Sequence, residues 1–379
     1  MECPTESTKP KITRKTVLFP LIGLVAFFLY IYLFRVDIPG IIATAQRADP
    51  VPYALAVLLS LVEVFFFSVS WRVLLNFLLI KLSIIKSYLF VWYGIFVDTI
   101  IPAESVSGEV LRVYLITKEQ GNEACGPAVA SLVTHRLLGM GMNIAVLIFG
   151  MGLLFTETQV SGLVFNLILF LAVAITLTLV LLMFFSFKEK WSLRVIDWVA
   201  RLAKFLSRGK WQLTKIKEDA YRITKSFHDS MEEFKQTPKT LVFSLFYLAL
   251  TWIFSLSIPY LVFLSLRFPV SWSVILITSA IVLAVKSIPI GVPFEVGLPE
   301  ITMTTLYISL LGPEAAGISA TATILTRLIT LWFRFFIGFL AQQWLELKPI
   351  IAPVNNTIVE KPKIALSPSL FYDRHGNKD

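Results

Sequence analysis

The chain has 379 residues, 56% of them hydrophobic and 16% charged, with 34 Lys and Arg against 25 Asp and Glu for a formal net charge of +9. That is far more apolar than a water-soluble domain needs, so a soluble globular enzyme is excluded and an integral membrane protein is indicated. Cys3 and Cys125 form no CxxC pair and there are only three histidines, so neither a disulfide framework nor a zinc centre is implied and no cofactor is expected.

In chain order, residues 1–16 form a basic tail containing "KPKITRK", expected on the cytoplasmic side of the cell membrane. The apolar run 17–34 exits through "LYIYLFRVD", which lacks the small residues of a cleavage site, and reads as a permanent anchor. A spanning helix needs about 20 apolar residues, and the runs 51–70, 127–153, 162–187, 240–266 and 318–346 qualify. Two more, 84–101 and 272–292, end in proline-bearing polar stretches and are not expected to cross fully.

Between Lys188 and Lys239 there are 13 Lys/Arg against 7 Asp/Glu, which places this loop inside. Ile196, Val199, Leu202 and Leu206 recur at helical spacing there, which suits a helix lying on anionic headgroups better than nucleic-acid binding. Residues 347–379 form a polar tail, leaving 17–346 as the membrane domain.

The polar stretch "PAESVSGEVLR" (102–112) has an echo. Shifted by 191 residues without a gap, it falls on "PFEVGLPEITM" (293–303), and the match runs on to residue 137. Pro102, Glu104, Glu109, Leu115, Gly121, Glu123, Ala124, Gly126, Arg136 and Leu137 meet Pro293, Glu295, Glu300, Leu306, Gly312, Glu314, Ala315, Gly317, Arg327 and Leu328, ten identities in 36 positions. The repeat copies lie near 84–156 and 272–346. With the basic loop inside, the first copy approaches from the cytoplasmic face and the second from the outer face. The expectation is an all-α polytopic protein of about eight transmembrane segments, in two inverted repeats with re-entrant hairpins. That architecture suits transporters with a midplane site exposed alternately to each side.

Charge within a bilayer costs about 2.5 to 3.5 kcal/mol per residue on insertion scales, so the repeated charges need a reason. Glu104, Glu109, Glu295 and Glu300, with Arg136 and Arg327, either hold the hairpins shut as ion pairs or act on substrate or a coupling proton. Arg112 and Lys118 follow Glu109 and either clamp a phosphate or snorkel to the interface. Lys286, beside Ser287 and Pro289, ends the second hairpin's first limb, where a buried lysine suggests a site role. Glu63, alone in "SLVEVFFFSVSWR", faces the protein interior, either paired with an arginine or as a proton carrier. His135 reads as a packing residue, Arg334 as a snorkelling one, and Asp98 as a cap or pair near the first hairpin tip.

These stretches resemble the membrane domain of the lysylphosphatidylglycerol synthase/flippase family. The likeness rests on Pro102, Gly108, Glu109 and Arg112, on "THRLLG" with Arg136, and on "IPIGVPFEVGLPE" followed by "ILTRL" with Glu300 and Arg327. The resemblance implies a bundle of about eight helices that moves a polar-headed lipid, a phospholipid or an isoprenoid-linked one, between leaflets. Some relatives append a soluble aminoacyl-transferase or glycosyltransferase domain. Only about 33 residues follow the last span, too few for either, so lipid synthesis would fall to a separate enzyme. Relatives tend to have a glycine-rich turn where this chain has "PFEVG". An intramembrane lipid-modifying enzyme and a small-solute secondary transporter are the alternatives. Expected partners are membrane lipids, with a second copy of the chain and a lipid-modifying enzyme as open options and no nucleic acid. No GxxxxGK[ST] loop is present, so ATP hydrolysis is not expected to drive movement.

Overall fold

The computed structural model describes residues 38–101, 106–157, 162–188, 214–286 and 297–351, with a few positions between 191 and 197. The run 17–34, both hairpin tips with Glu104 and Glu295, the loop positions Ile196, Val199, Leu202 and Leu206, and the tail beyond 351 lie outside the described residues.

Among the described residues there are helices and turns and no strands. The helices are α1 (Ile38–Gln46), α2 (Pro50–Phe77), α3 (Ile84–Ile100), α4 (Val106–Gln120), α5 (Cys125–Glu157), α6 (Gly162–Phe187), α7 (Thr214–Gln236), α8 (Pro238–Ser265), α9 (Trp272–Lys286), α10 (Leu298–Leu311), α11 (Ala316–Arg327) and α12 (Arg334–Ile351). Short 3-10 turns at Asn122–Ala124 and Pro313–Ala315 precede α5 and α11, and a π-helical turn, Leu328–Phe333, joins α11 to α12. Four helical runs, Pro50–Phe77, Asn122–Thr156, Pro238–Ser265 and Pro313–Glu346, are long and apolar enough to cross a membrane. α9 and α10 are apolar but shorter, and α6 carries no charged residue along its 26. Large side chains such as Phe170, Leu177, Phe246 and Ile253 are exposed, a pattern that water would penalise and lipid welcomes. The chain is an all-α, multi-pass membrane protein.

Helix starts follow the local sequence. Asp49 accepts a hydrogen bond from the Val51 amide at 2.9 Å with Pro50 in the first turn, and Ser83 accepts from the Lys86 amide at 3.2 Å; each satisfies an amide that the helix cannot.

The duplication is visible in the backbone. With the 191-residue shift, the 3-10 turn Asn122–Ala124 falls on Pro313–Ala315 and the start of α5 on the start of α11. Gly121 and Gly312, which precede the two turns, have φ of 91° and 100°, a left-handed conformation open to glycine at little cost. The equivalence also reaches α2 and α8, which the sequence echo does not cover. Leu79 and Arg267, 188 positions apart, both have positive φ, 62° and 56°. They close α2 and α8 with the same pair of hydrogen bonds: Ile80 N to Leu75 O and Phe268 N to Phe263 O at 3.0 and 3.1 Å, then Leu79 N to Asn76 O and Arg267 N to Leu264 O at 3.2 and 2.9 Å. The offset rises from 188 at Leu79 and Arg267 to 191 at Pro102 and Pro293, so the second half is three residues longer in that interval.

α2 and α8 cross in opposite directions, because rising numbers on one meet falling numbers on the other. Asp49 N donates to Ser265 O at 2.7 Å, Phe66 stacks on Phe254 at 5.4 Å, and Ser70 Oγ lies 2.9 Å from Ser244 Oγ. Since α2 and α8 are equivalent elements, the two halves run antiparallel, and Glu63 with its counterpart Thr251 stands at the middle of the crossing.

The halves also clasp each other. α3 of the first half packs on α12 of the second, where Phe96 meets Phe335 and Phe339 at 5.1 and 5.8 Å. α9 of the second half packs on α5 of the first. Glycines permit both approaches: a Cβ on Gly338 would lie 2.6 Å from Trp92 O, and one on Gly150 would lie 2.8 Å from Leu276 Cβ.

α7, the described end of the basic loop, spends its apolar face on protein. Met231 and Phe234 are buried with Leu74, Leu78 and Ala130, and Thr134 Oγ1 donates to Met231 Sδ at 3.4 Å. This part of the loop therefore does not present an apolar face to headgroups.

Candidate functional site

In the first hairpin, α3 delivers Asp98 to the start of α4. Its Oδ1 accepts the Gly108 amide at 2.6 Å and the Ser107 hydroxyl at 2.7 Å, so Asp98 caps a neighbouring helix. Gly108 is required by this approach, since a Cβ there would lie 2.3 Å from Asp98 Oδ2 and 2.4 Å from Gly94 O. Glu109 follows in the first turn of α4, where the helix dipole favours an anion. Arg136 Nη1 on α5 donates to its Oε2 at 3.3 Å, and the two side chains are 34% and 24% exposed.

The second hairpin repeats the pair and tightens it. Glu300 Oε2 accepts the Gly297 amide at 2.7 Å, and Arg327 Nε donates to Glu300 Oε1 at 2.5 Å with the side chains 6% and 4% exposed. Both carboxylate oxygens are engaged, as a buried charge requires.

The two pairs do not meet. Tyr53 Oη on α2 donates to Leu325 O at 3.3 Å, beside Arg327, whereas Trp71 on the same helix lies under Arg112. At 1.5 Å per residue, about 27 Å of α2 separates those contacts. Between them sits Glu63, which accepts a hydrogen bond from Arg334 Nη2, while Arg334 Nε donates to Ser60 Oγ at 3.1 Å. Arg334 therefore does not snorkel: it follows the π-helical turn and reaches inward to satisfy a buried carboxylate. Lys286, half-buried at the end of α9, lies within electrostatic reach of the same Glu63.

Arg112 is 6% exposed. Its guanidinium lies over Phe67 and Trp71, 5.9 and 5.2 Å from the ring centroids. His135 packs edge-on against Phe67 at 4.5 Å. Lys118, for which the sequence left a phosphate clamp with Arg112 and an interfacial position open, is exposed on the last turn of α4 and does not share the buried setting of Arg112. The halves differ at several equivalent positions: Asp98 faces Lys286, Arg112 faces Met303, His135 faces Thr326, Asn143 faces Arg334, and Glu63 faces Thr251. Asn143, which the motif analysis passed over, is 4% exposed, and a lone asparagine inside "GMGMNIAVL" was its signal. Among the described residues, no group of three or more His, Cys, Asp or Glu is placed to hold a metal ion.

Apolar helices of spanning length, repeated charge pairs on two antiparallel halves and a buried ion pair at their crossing define a polytopic membrane protein built around internal charge. Residues 20–338 match the lysylphosphatidylglycerol synthase TM region, and the chain belongs to that family. It is similar to the UPF0104 membrane protein PH1989 of Pyrococcus horikoshii, 27% identical over 311 residues that cover 81% of this chain and 91% of the relative. It is also similar to the UPF0104 membrane protein MJ1595 of Methanocaldococcus jannaschii, 24% identical over 340 residues, 88% of this chain and 95% of the relative. No solved structure matches the chain.

Proposed function

We propose that the protein moves a polar-headed lipid between membrane leaflets. The observation that carries the reading is the unequal state of two equivalent gates. Glu109–Arg136 is spaced at 3.3 Å and partly exposed, while Glu300–Arg327 is at 2.5 Å and buried. Two antiparallel halves with one gate loose and one sealed are what an alternating-access carrier needs in one of its end states. The crossing of α2 and α8, where Glu63 on α2 is tied to Arg334 on α12, is the pivot. On this reading about eight segments, with α3/α4 and α9/α10 as re-entrant hairpins, lie in the cell membrane with the basic loop and the N-terminal tail in the cytoplasm. The energy source is a gradient or a coupled ion.

Reconstitution tests this. Purified protein in vesicles carrying labelled lipids is expected to accelerate leaflet exchange of at least one polar-headed lipid over empty vesicles, and Glu109→Gln and Arg327→Met to slow it. A native protein no faster than empty vesicles across anionic, zwitterionic and cationic headgroups removes the reading. Chemical conversion of a lipid by the protein in detergent replaces it with the enzyme alternative.

A further inference from the structure

We infer that α1 and α7 are exchanged straps: each leads one half of the molecule and holds the gate-bearing helix of the other half, so that neither arginine gate moves by itself. This rests on the alternating-access reading and adds the device that couples the two gates.

The kinship of the straps follows from the helices they precede. α2 and α8 are both 28 residues long and begin on Pro50 and Pro238, related by the same 188-residue shift as Leu79 and Arg267. α1 ends at Gln46 and α7 at Gln236, just ahead of those prolines. Shifted by 188, residues 38–46 fall on residues 226–234, within α7. Each strap therefore leads one half, yet each packs on the other: α1 lies against α11, which carries Arg327, and α7 against α5, which carries Arg136.

The surroundings are exchanged in the same way. Tyr53 Oη donates to Leu325 O at 3.3 Å, and the positions equivalent to that pair are Leu241 and Thr134. Leu241 packs on the cluster that holds Met231 of α7, and Thr134 Oγ1 donates to Met231 Sδ at 3.4 Å.

α7 grips α5 over the turns that lead to Arg136. A Cβ on Gly126 would lie 2.6 Å from Ser226 Cβ and 3.1 Å from Ile223 O, inside the separation at which carbon atoms pack. The helices meet there at backbone distance, and α5 cannot move toward α7 without displacing it. Arg222 Nη1 lies 3.9 Å from Glu123 Oε1 at the exposed rim of the same contact. A shift of α5 is handed on, because Thr237 alone joins α7 to α8. α8 lies along α2, and Asp49 N, in the link between α1 and α2, donates to Ser265 O at 2.7 Å. From there α1 and Tyr53 both reach α11. Arg136 and Arg327 are thus joined by an unbroken run of packed helices and hydrogen bonds, the kind of contact that carries coupling between distant sites.

The test uses the full-length protein with Cys3→Ser and Cys125→Ala as background. Spin labels on Glu123→Cys/Arg222→Cys report the α5–α7 distance, and labels on Ala43→Cys/Glu314→Cys, both exposed positions, report α1–α11. Gly126→Leu pushes α7 off α5 and is expected to shift both distance distributions. Ser226→Phe, which strikes Gly126 from the α7 side, takes its place if the leucine variant does not elute as native protein. A shift confined to the Glu123/Arg222 pair, or no shift in that pair, overturns the inference. In vesicles, joining the same two cysteines with a cleavable bifunctional thiol reagent is expected to slow leaflet exchange at least about five-fold, the low end of the usual coupling between sites, and reduction to restore it. Exchange at the native rate in the cross-linked protein also overturns it. Distances that shift together in a protein that moves no lipid sink the translocation reading alone.

Discussion

Arg327 Nε lies 2.5 Å from Glu300 Oε1 with both side chains almost wholly buried, and 27 residues separate them in sequence, the same interval that separates Glu109 from Arg136. Removing one member of such a buried pair strands the other charge, at about 3 to 5 kcal/mol. Glu300→Gln and Arg327→Met are each expected to lower the thermal unfolding midpoint in detergent strongly. Glu300→Met/Arg327→Met together is expected to recover most of the loss, since a well-packed apolar replacement is often neutral. A double variant as unstable as the singles would show that the charges are not matched to each other.

The less buried counterpart behaves differently. Glu109→Gln is expected to lower the unfolding midpoint less than Glu300→Gln does, because a pair whose side chains are 34% and 24% exposed strands its partner in a less buried setting. Its effect is expected in the transport rate, so an unfolding scan and a vesicle assay on the same preparation separate the two roles.

Glu63 and Arg334 join α2 to α12 across the junction of the halves. Glu63→Gln, Arg334→Gln and the double variant form a cycle. A coupling energy of more than about 1 kcal/mol is expected for side chains in direct contact, and a coupling near zero would mean that Ser60 and other neighbours hold Arg334 by themselves.

Leu79 has φ of 62° and is 81% exposed. A left-handed leucine costs roughly 1 to 2 kcal/mol relative to a right-handed one, so Leu79→Gly is expected to raise the unfolding midpoint, and a drop would show that the leucine side chain is anchored by lipid.

Gly338→Ala introduces a Cβ 2.6 Å from Trp92 O. Because backbone is what it would strike, α12 must move away from α3, at a cost of about 1 to 3 kcal/mol. Unfolding of this variant at the native temperature would mean that the helices separate freely.

The long helices were readable from hydropathy because a span needs a fixed length of apolar residues. The repeat was readable where a physical demand fixed the residue: Gly121 and Gly312 at positive φ, and Glu109, Arg136, Glu300 and Arg327 in pairs. The kinship of α2 with α8 was hidden, because lipid-facing positions accept any large apolar side chain and the register slips by three residues between 188 and 191. Arg334 was misread because a lone arginine near aromatic residues looks interfacial; its partner, Glu63, is 271 positions away. The burial of Asn143 and the exposure of Lys118 depend on which helix lies opposite, which spacing along one chain does not encode.

The clasp of α3 by α12 and of α9 by α5 has a consequence for biogenesis. α3 leaves the ribosome more than two hundred residues before the helix that covers it, so its aromatic flank, including Phe96, spends most of synthesis facing lipid or a chaperone. Neither half is a separable building block, and a chain interrupted after α11 would insert into the bilayer yet never mature, leaving it a ready target for membrane quality control.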